Sequence, residues 1–177
     1  RNPISGSLSL HPKFIEDNVK WVWQDGNASL GYTTCFIDNV RQSKILYDNS
    51  GWLRKIQEQV SGPYPEKLAE NIISKNFAFL KDAMFSFRDQ IASAVERLDF
   101  VSINHRCAAF LASYFDIIFA RNRVLNPGEK RLISFAEKHC KILPENFSED
   151  VKILSVGDIS KKVATADRMV ETLRKIL

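Results

Sequence analysis

Cysteine, histidine and glycine are sparse in this chain, and their absence from key spacings removes whole classes of chemistry. The three cysteines, Cys35, Cys107 and Cys140, stand far apart with no CxxC and no Cys/His ligand spacing. Neither a zinc site nor a disulfide framework is indicated, and an odd number fits a reducing compartment. His11, His105 and His139 are equally scattered and read as surface or satisfied histidines rather than ligands. The seven glycines form no P-loop and no GxGxxG, and HExxH and GxSxG are missing as well. No apolar run reaches the length of a membrane span, and RNPISGSLSL at the N-terminus lacks a charged start followed by an apolar block. The expectation is a cytoplasmic protein without a membrane partner. Charge of one sign is weak too: 25 Lys and Arg face 21 Asp and Glu, a net of +4. That balance permits nucleic-acid binding without indicating it.

What remains is a soluble globular composition. Of 177 residues, 45% are hydrophobic and 26% charged, enough for one domain with a buried core, or for one compact domain with an appendage. The chain begins with Arg1 rather than Met, which points to a fragment or a processed product.

Three regions are expected. Residues 1–17, with Pro3, Gly6 and Pro12, read as a loose leader. Residues 18–50 read as a small β element. Val19, Trp21 and Trp23 suit a strand as well as a short helix, and GYTTCFID (31–38) and SKILYD (43–48) carry the β-branched and aromatic residues of a hairpin. Residues 51–177 read as a bundle of about five or six helices, so the fold class is mainly α. WLRKIQEQV and EKLAENIISK are helices, the second entered through Pro65. Leu80, Met84, Phe87, Ile91, Ala94 and Leu98 fall on one stripe of a single long helix. CAAFLASYFDIIFA (107–120) is apolar nearly all round and must run through the middle. Asn126 caps a further helix with Pro127 in its first position and Glu129 in its third. A short helix starts near Ser148. Asp158 caps the last one, whose Ile159, Val163, Ala166, Val170 and Leu173 make a core stripe.

Three features carry possible chemistry. Asp116 lies inside the most apolar helix, where an isolated carboxylate is costly. It is either one half of a structural ion pair, with an arginine of a neighbouring helix, or an acid facing a cationic ligand. Lys130 and Arg131 in RVLNPGEKRL (123–132) fall in the first turn of their expected helix, where the dipole favours anions. They make a phosphate site with the free N–H groups, or a solvated cap neutralised by Glu129. Arg41, Lys44 and Asp48 face a polyanion or decorate a hairpin edge. The Arg–His pairing of HEPN-type ribonucleases is excluded by spacing, since Arg97–His105 and Arg131–His139 are too far apart.

The run GYTTCFIDNVRQSKILYDNSGWLRKIQE resembles the end of the nucleotidyltransferase core in the DNA-polymerase-β-like superfamily, where a last strand, a Gly and an amphipathic helix lead into a helical domain. HRCAAFLASYFDIIFARNRVLNPGEKRLISFAEKH is similar to the helical, substrate-side domain of the antibiotic-type nucleotidyltransferases. The resemblance covers about residues 18 to 145. It implies transfer of a nucleoside monophosphate from an NTP to a hydroxyl, with Mg²⁺ held by acidic residues. The family's Gly-Ser followed by Asp-x-Asp is missing, because Gly6-Ser7 has no acidic pair behind it. Mg²⁺ and NTP are therefore expected only with a complete core, supplied in cis or in trans as a partner, and this chain is expected to be inactive alone. Lys130 matches the lysine that reaches the nucleotide phosphates, with Arg131 beside it. Asp116 matches a substrate-facing acid with Tyr114 as its neighbour, against a small-molecule acceptor. The alternative is a non-catalytic helical interaction or dimerisation module, for which a homodimer is allowed.

Overall fold

The computed structural model describes residues 11–177, and among these every regular element is helical. Gly6-Ser7 and most of the expected leader lie outside the described residues. The order is α1 (Pro12–Asn18), which continues into a wider π-turn over Val19–Gln24, then α2 (Cys35–Gln42), α3 (Trp52–Val60) and α4 (Glu66–Phe77). A second π-turn, Ala78–Asp82, leads to α5 (Phe87–Glu96), followed by α6 (Phe100–Asn122), α7 (Leu132–His139), α8 (Phe147–Val156) and α9 (Ile159–Arg174). The mainly α class holds. The β-hairpin over 18–50 does not.

Its failure has a local cause. At the end of GYTTCFID and just beyond it the apolar residues that matter, Ile37 and Val40, are three apart and both buried, so helical spacing wins over β propensity. Thr33 and Thr34, which look like strand residues, are instead buried in the turn before α2. SKILYD finds no ladder partner, and Leu46 and Tyr47 face solvent. Asp48 at its end accepts a hydrogen bond from the Arg54 backbone N–H (3.1 Å), anchoring the start of α3.

The single helix expected over Leu80–Leu98 is also overturned. Ala83 is extended, Phe85 takes φ 62°, and Ser86 starts a new helix by accepting from the Asp89 N–H at 3.2 Å. The Ser86 hydroxyl donates back to the Asp89 carboxylate at 2.9 Å. This reciprocal cap fixes the corner, and Met84 is left in solvent while Ile91 and Ala94 stay buried.

α6 is the spine. From Ala112 to Ala120 every residue is buried, and the helix passes through two clusters of apolar side chains. One cluster joins α6 to α5, α8 and α9; the other packs α1 to α4 around Ile37, Ile56, Leu68 and Ile72, with Ala120 and Leu125 closing it. The stretch Ala112–Ala120, which has no exposed face, can be stable only when it is surrounded in this way.

One polar device holds the C-terminal pair. Lys162 on α9 is buried, and its ammonium donates to the Leu154 carbonyl at 2.5 Å in the last turn of α8. It replaces the solvent that the end carbonyls of a helix otherwise need. Lys162→Met keeps the stem and orphans those carbonyls, so a loss of about 1–3 kcal/mol is expected, or a fall in Tm of about 3–10 °C for a domain of this size. Thermal denaturation followed by circular dichroism measures it, and an unchanged Tm would mean that water reaches the end of α8.

Candidate functional site

The segment 123–131 leaves α6 through Arg123, which takes φ 57°, and enters α7 through Arg131 at φ 56°. Between them Asn126 is fully buried. Its side-chain oxygen accepts from the Gly128 N–H at 2.9 Å, its amide donates to Asp116 Oδ1 at 2.9 Å, and its own N–H donates to Thr34 Oγ1 at 2.8 Å. Gly128 then adopts φ 91°, which takes the chain out of the helical path. Asn126 thus closes a turn rather than capping a helix. α7 begins at Leu132, so Lys130 and Arg131 precede it and do not occupy its first turn.

Asp116 sits at the centre of this arrangement, 2% exposed. Its Oδ2 accepts from the Thr33 N–H at 2.9 Å while Oδ1 accepts from Asn126. Among the described residues no arginine or lysine forms an ion pair with it. The expected ion pair is replaced by neutral donors, and burial pushes the carboxyl above the usual range while the bonds from Thr33 and Asn126 pull the other way. The same knot reaches α4. Asn76, fully buried, accepts from the Gly31 N–H at 2.9 Å and donates to the carbonyls of Ser29 and Ile72, each at 3.0 Å. Four pieces of chain are tied together: the 29–34 turn, α4, α6 and the 123–131 loop.

Two clefts open on either side of that loop. The first, of about 800 Å³, is lined by Lys130, Asp38, Phe36, Trp52 and Phe135. The second, of about 510 Å³, lies between α6, α7 and α8 and includes Arg131, Tyr32, Phe115 and Lys152. Lys130 and Arg131, adjacent in sequence, therefore serve different clefts. Tyr114 is brought to neither: its ring stacks on Phe147 at 6.4 Å and on Phe110 at 6.2 Å, and its buried hydroxyl meets no partner among the described residues. Burial, and then Asp150, push that phenol up. Asp116 and Tyr114 leave α6 in different directions, one into the polar knot and one into the apolar core.

The field around the start of α2 is negative. The Cys35 thiol is pushed up by burial and then by Asp116, Asp38 and Glu129, which disfavours the thiolate. The Tyr32 phenol is raised by burial and by Glu129. Asp38 is raised by burial against the opposing pull of Gln42 and Arg41. Among the described residues no group of three or more His, Cys, Asp or Glu is placed to hold a metal. The residues present do not fit a magnesium pair, and no step through one follows from this chain.

Sequence reasoning missed Gly31, Thr33, Thr34 and Asn76. The signal available for Asn76 was an amide inside an otherwise apolar face of α4, and for the threonines a Thr-Thr pair directly before residues at helical spacing. Neither tells which partner is reached, because the partners are tens of residues away.

No helix among the described residues is long and apolar enough to cross a membrane. No curated protein and no solved structure matches the chain. A family model matches residues 33–132, from the threonine whose N–H bonds Asp116 to the first residue of α7. That span takes in more than half of the chain and the whole polar knot except its Gly31 turn, and the chain belongs to the family described as Domain of unknown function (DUF4037).

Proposed function

We propose that this chain is the nucleotide- and substrate-side helical part of a nucleotidyltransferase-like protein, which transfers a nucleoside monophosphate from an NTP to a hydroxyl acceptor. The observation that carries the reading is the cleft in which Lys130 stands with Phe36 and Trp52. An ammonium supplies the charge a phosphate needs, and aromatic faces accept a base by stacking. Lys130 is exposed, so its charge is available to a ligand. The acidic residues that would hold Mg²⁺ belong to a catalytic core in cis or in trans, and the acceptor is a small molecule. On this reading Asp116 acts on substrate only by fixing the 123–131 loop.

Titration with ATP, followed through tryptophan fluorescence, is expected to give a saturable change because Trp52 lines the cleft. Lys130→Ala is expected to weaken binding roughly tenfold, the value of one charge-assisted contact, with Tm unchanged. Equal affinity in the variant, or no binding by the wild type, overturns the reading.

A second reading, a non-catalytic interaction module, draws on the apolar residues at both ends of α5. Met84 and Phe85 at one end and Leu98, Phe100 and Val101 at the other are all more than half exposed. Sedimentation equilibrium decides for this reading if the chain self-associates and if Phe100→Ser abolishes the association.

A further inference from the structure

The second cleft lies outside the nucleotide reading, and its chemistry differs from that of the Lys130 cleft. Its floor is apolar: Leu111, Ala112 and Phe115 from α6 face Leu132 and Ile133 from α7 across to Val151 of α8. At about 510 Å³ it is the size of a site for a small organic ligand. The polar groups at its edge are of unequal availability. Ser134 donates its hydroxyl proton to the Arg131 carbonyl, and Ser155 donates its own to the Val151 carbonyl. The carboxylate of Glu137 already accepts from the Ser148 hydroxyl of α8. Arg131 and Lys152 are exposed, and among the described residues neither forms an ion pair. Among the described residues, the side-chain donors of this cleft that meet no acceptor are those two cations and the Tyr32 hydroxyl. Glu129 acts on the Tyr32 phenol as a like charge to any anion placed beside it, so the anionic end of a ligand goes toward Arg131 and Lys152.

We infer that this cleft binds an amphipathic anion, with an apolar, preferably aromatic, body against Phe115 and Leu111 and a carboxylate, sulfonate or phosphate head between Arg131 and Lys152. The apolar floor alone would take any hydrophobic molecule. The two cations, which form no ion pair among the described residues, against the one carboxylate that lines the cleft, Glu137, which is already engaged, select the sign of the head. The position of Arg131 follows from its left-handed backbone at the entry to α7, which directs it to this cleft while Lys130 serves the other.

Isothermal titration of the 177-residue chain with naphthalene-2-sulfonate tests it, beside 2-naphthylmethanol as the neutral molecule of the same body. The sulfonate is expected to bind at least tenfold more tightly than the alcohol. Arg131→Gln with Lys152→Gln is expected to remove that preference, bringing the sulfonate down to the affinity of the alcohol. Ala108→Trp, at an exposed position lining the cleft, fills the space without touching the core and should abolish both. Equal binding of sulfonate and alcohol by the wild type overturns the inference, as does undiminished sulfonate binding in the double variant or in Ala108→Trp. Displacement of the sulfonate by ATP would also overturn it, by placing the anion in the Lys130 cleft. The nucleotide reading is unaffected by a failure of the sulfonate to bind, because ATP binding is scored separately through Lys130→Ala.

Discussion

Asp116→Ala is expected to lower stability by about 2–6 kcal/mol, because it orphans two buried donors at once. The Thr33 N–H and the Asn126 amide both lose their acceptor, and neither can turn to water from where it is buried. The fall in Tm is about 6–20 °C, and urea denaturation gives the free energy directly. Asp116→Asn separates charge from hydrogen bonding. It keeps the volume and one acceptor but sets an amide N–H against one of the two donors, so it is expected to cost about 1–3 kcal/mol. Its cost should depend on pH. Because burial raises the Asp116 carboxyl in the folded chain, the folded state binds a proton there more readily than the unfolded state. Acidification from neutral pH toward the unfolded carboxyl range therefore stabilises the wild type through this group. The asparagine variant gains nothing from it, so the gap between the two widens as pH falls. A gap that narrows on acidification would mean that Asp116 is held ionised by a charge that the structure does not contain.

This same residue shows what could be read from the sequence and what could not. That a carboxylate in the text of α6 needs a special reason follows from its surroundings in the sequence alone. Which groups satisfy it does not, because Thr33 is 83 positions away and Asn126 lies across a turn. The spine α6, the stripe of α9 and the cap at Asp158 were legible, since each depends on spacing within one helix or on one side chain beside its own backbone. The reading failed where local propensity and tertiary contact disagree. β-branched residues at 33 and 34 took the form of a turn because their hydroxyl and N–H groups had buried partners to reach. Heptad-like spacing over 80–98 crossed a corner without notice, although Ser86 and Asp89 carried the signature of a helix start. The two cations at 130 and 131 were legible as a cluster. Their separation into different clefts depends on the left-handed conformation at Arg131, and a non-glycine residue gives no warning of that.

Gly31→Ala is expected to be the second most damaging substitution, and its cost can be divided into parts. Gly31 has φ 79°, and a Cβ built on it would lie 2.7 Å from the Ala112 Cβ and 3.1 Å from the Ala112 carbonyl carbon. The left-handed backbone costs an L-residue about 1 kcal/mol, and pushing the turn off α6 adds about 1–3 kcal/mol. The Gly31 N–H bond to Asn76 and the Thr33 N–H bond to Asp116 both lie on the segment that must move, so the polar knot loosens as well. Ala112→Gly in the same chain removes the atom that is struck nearest. It carries its own cost of about 1 kcal/mol as a glycine within a helix. The double variant should therefore be more stable than the sum of the two single losses allows, and the excess measures the steric part. Simple additivity would mean that the turn and α6 do not press on each other at this point. The Tyr32 ring, one residue beyond Gly31, lines the second cleft. Naphthalene-2-sulfonate affinity is therefore expected to fall in Gly31→Ala and to return with stability in the double variant, which ties the close approach of the turn to the shape of the cleft it walls.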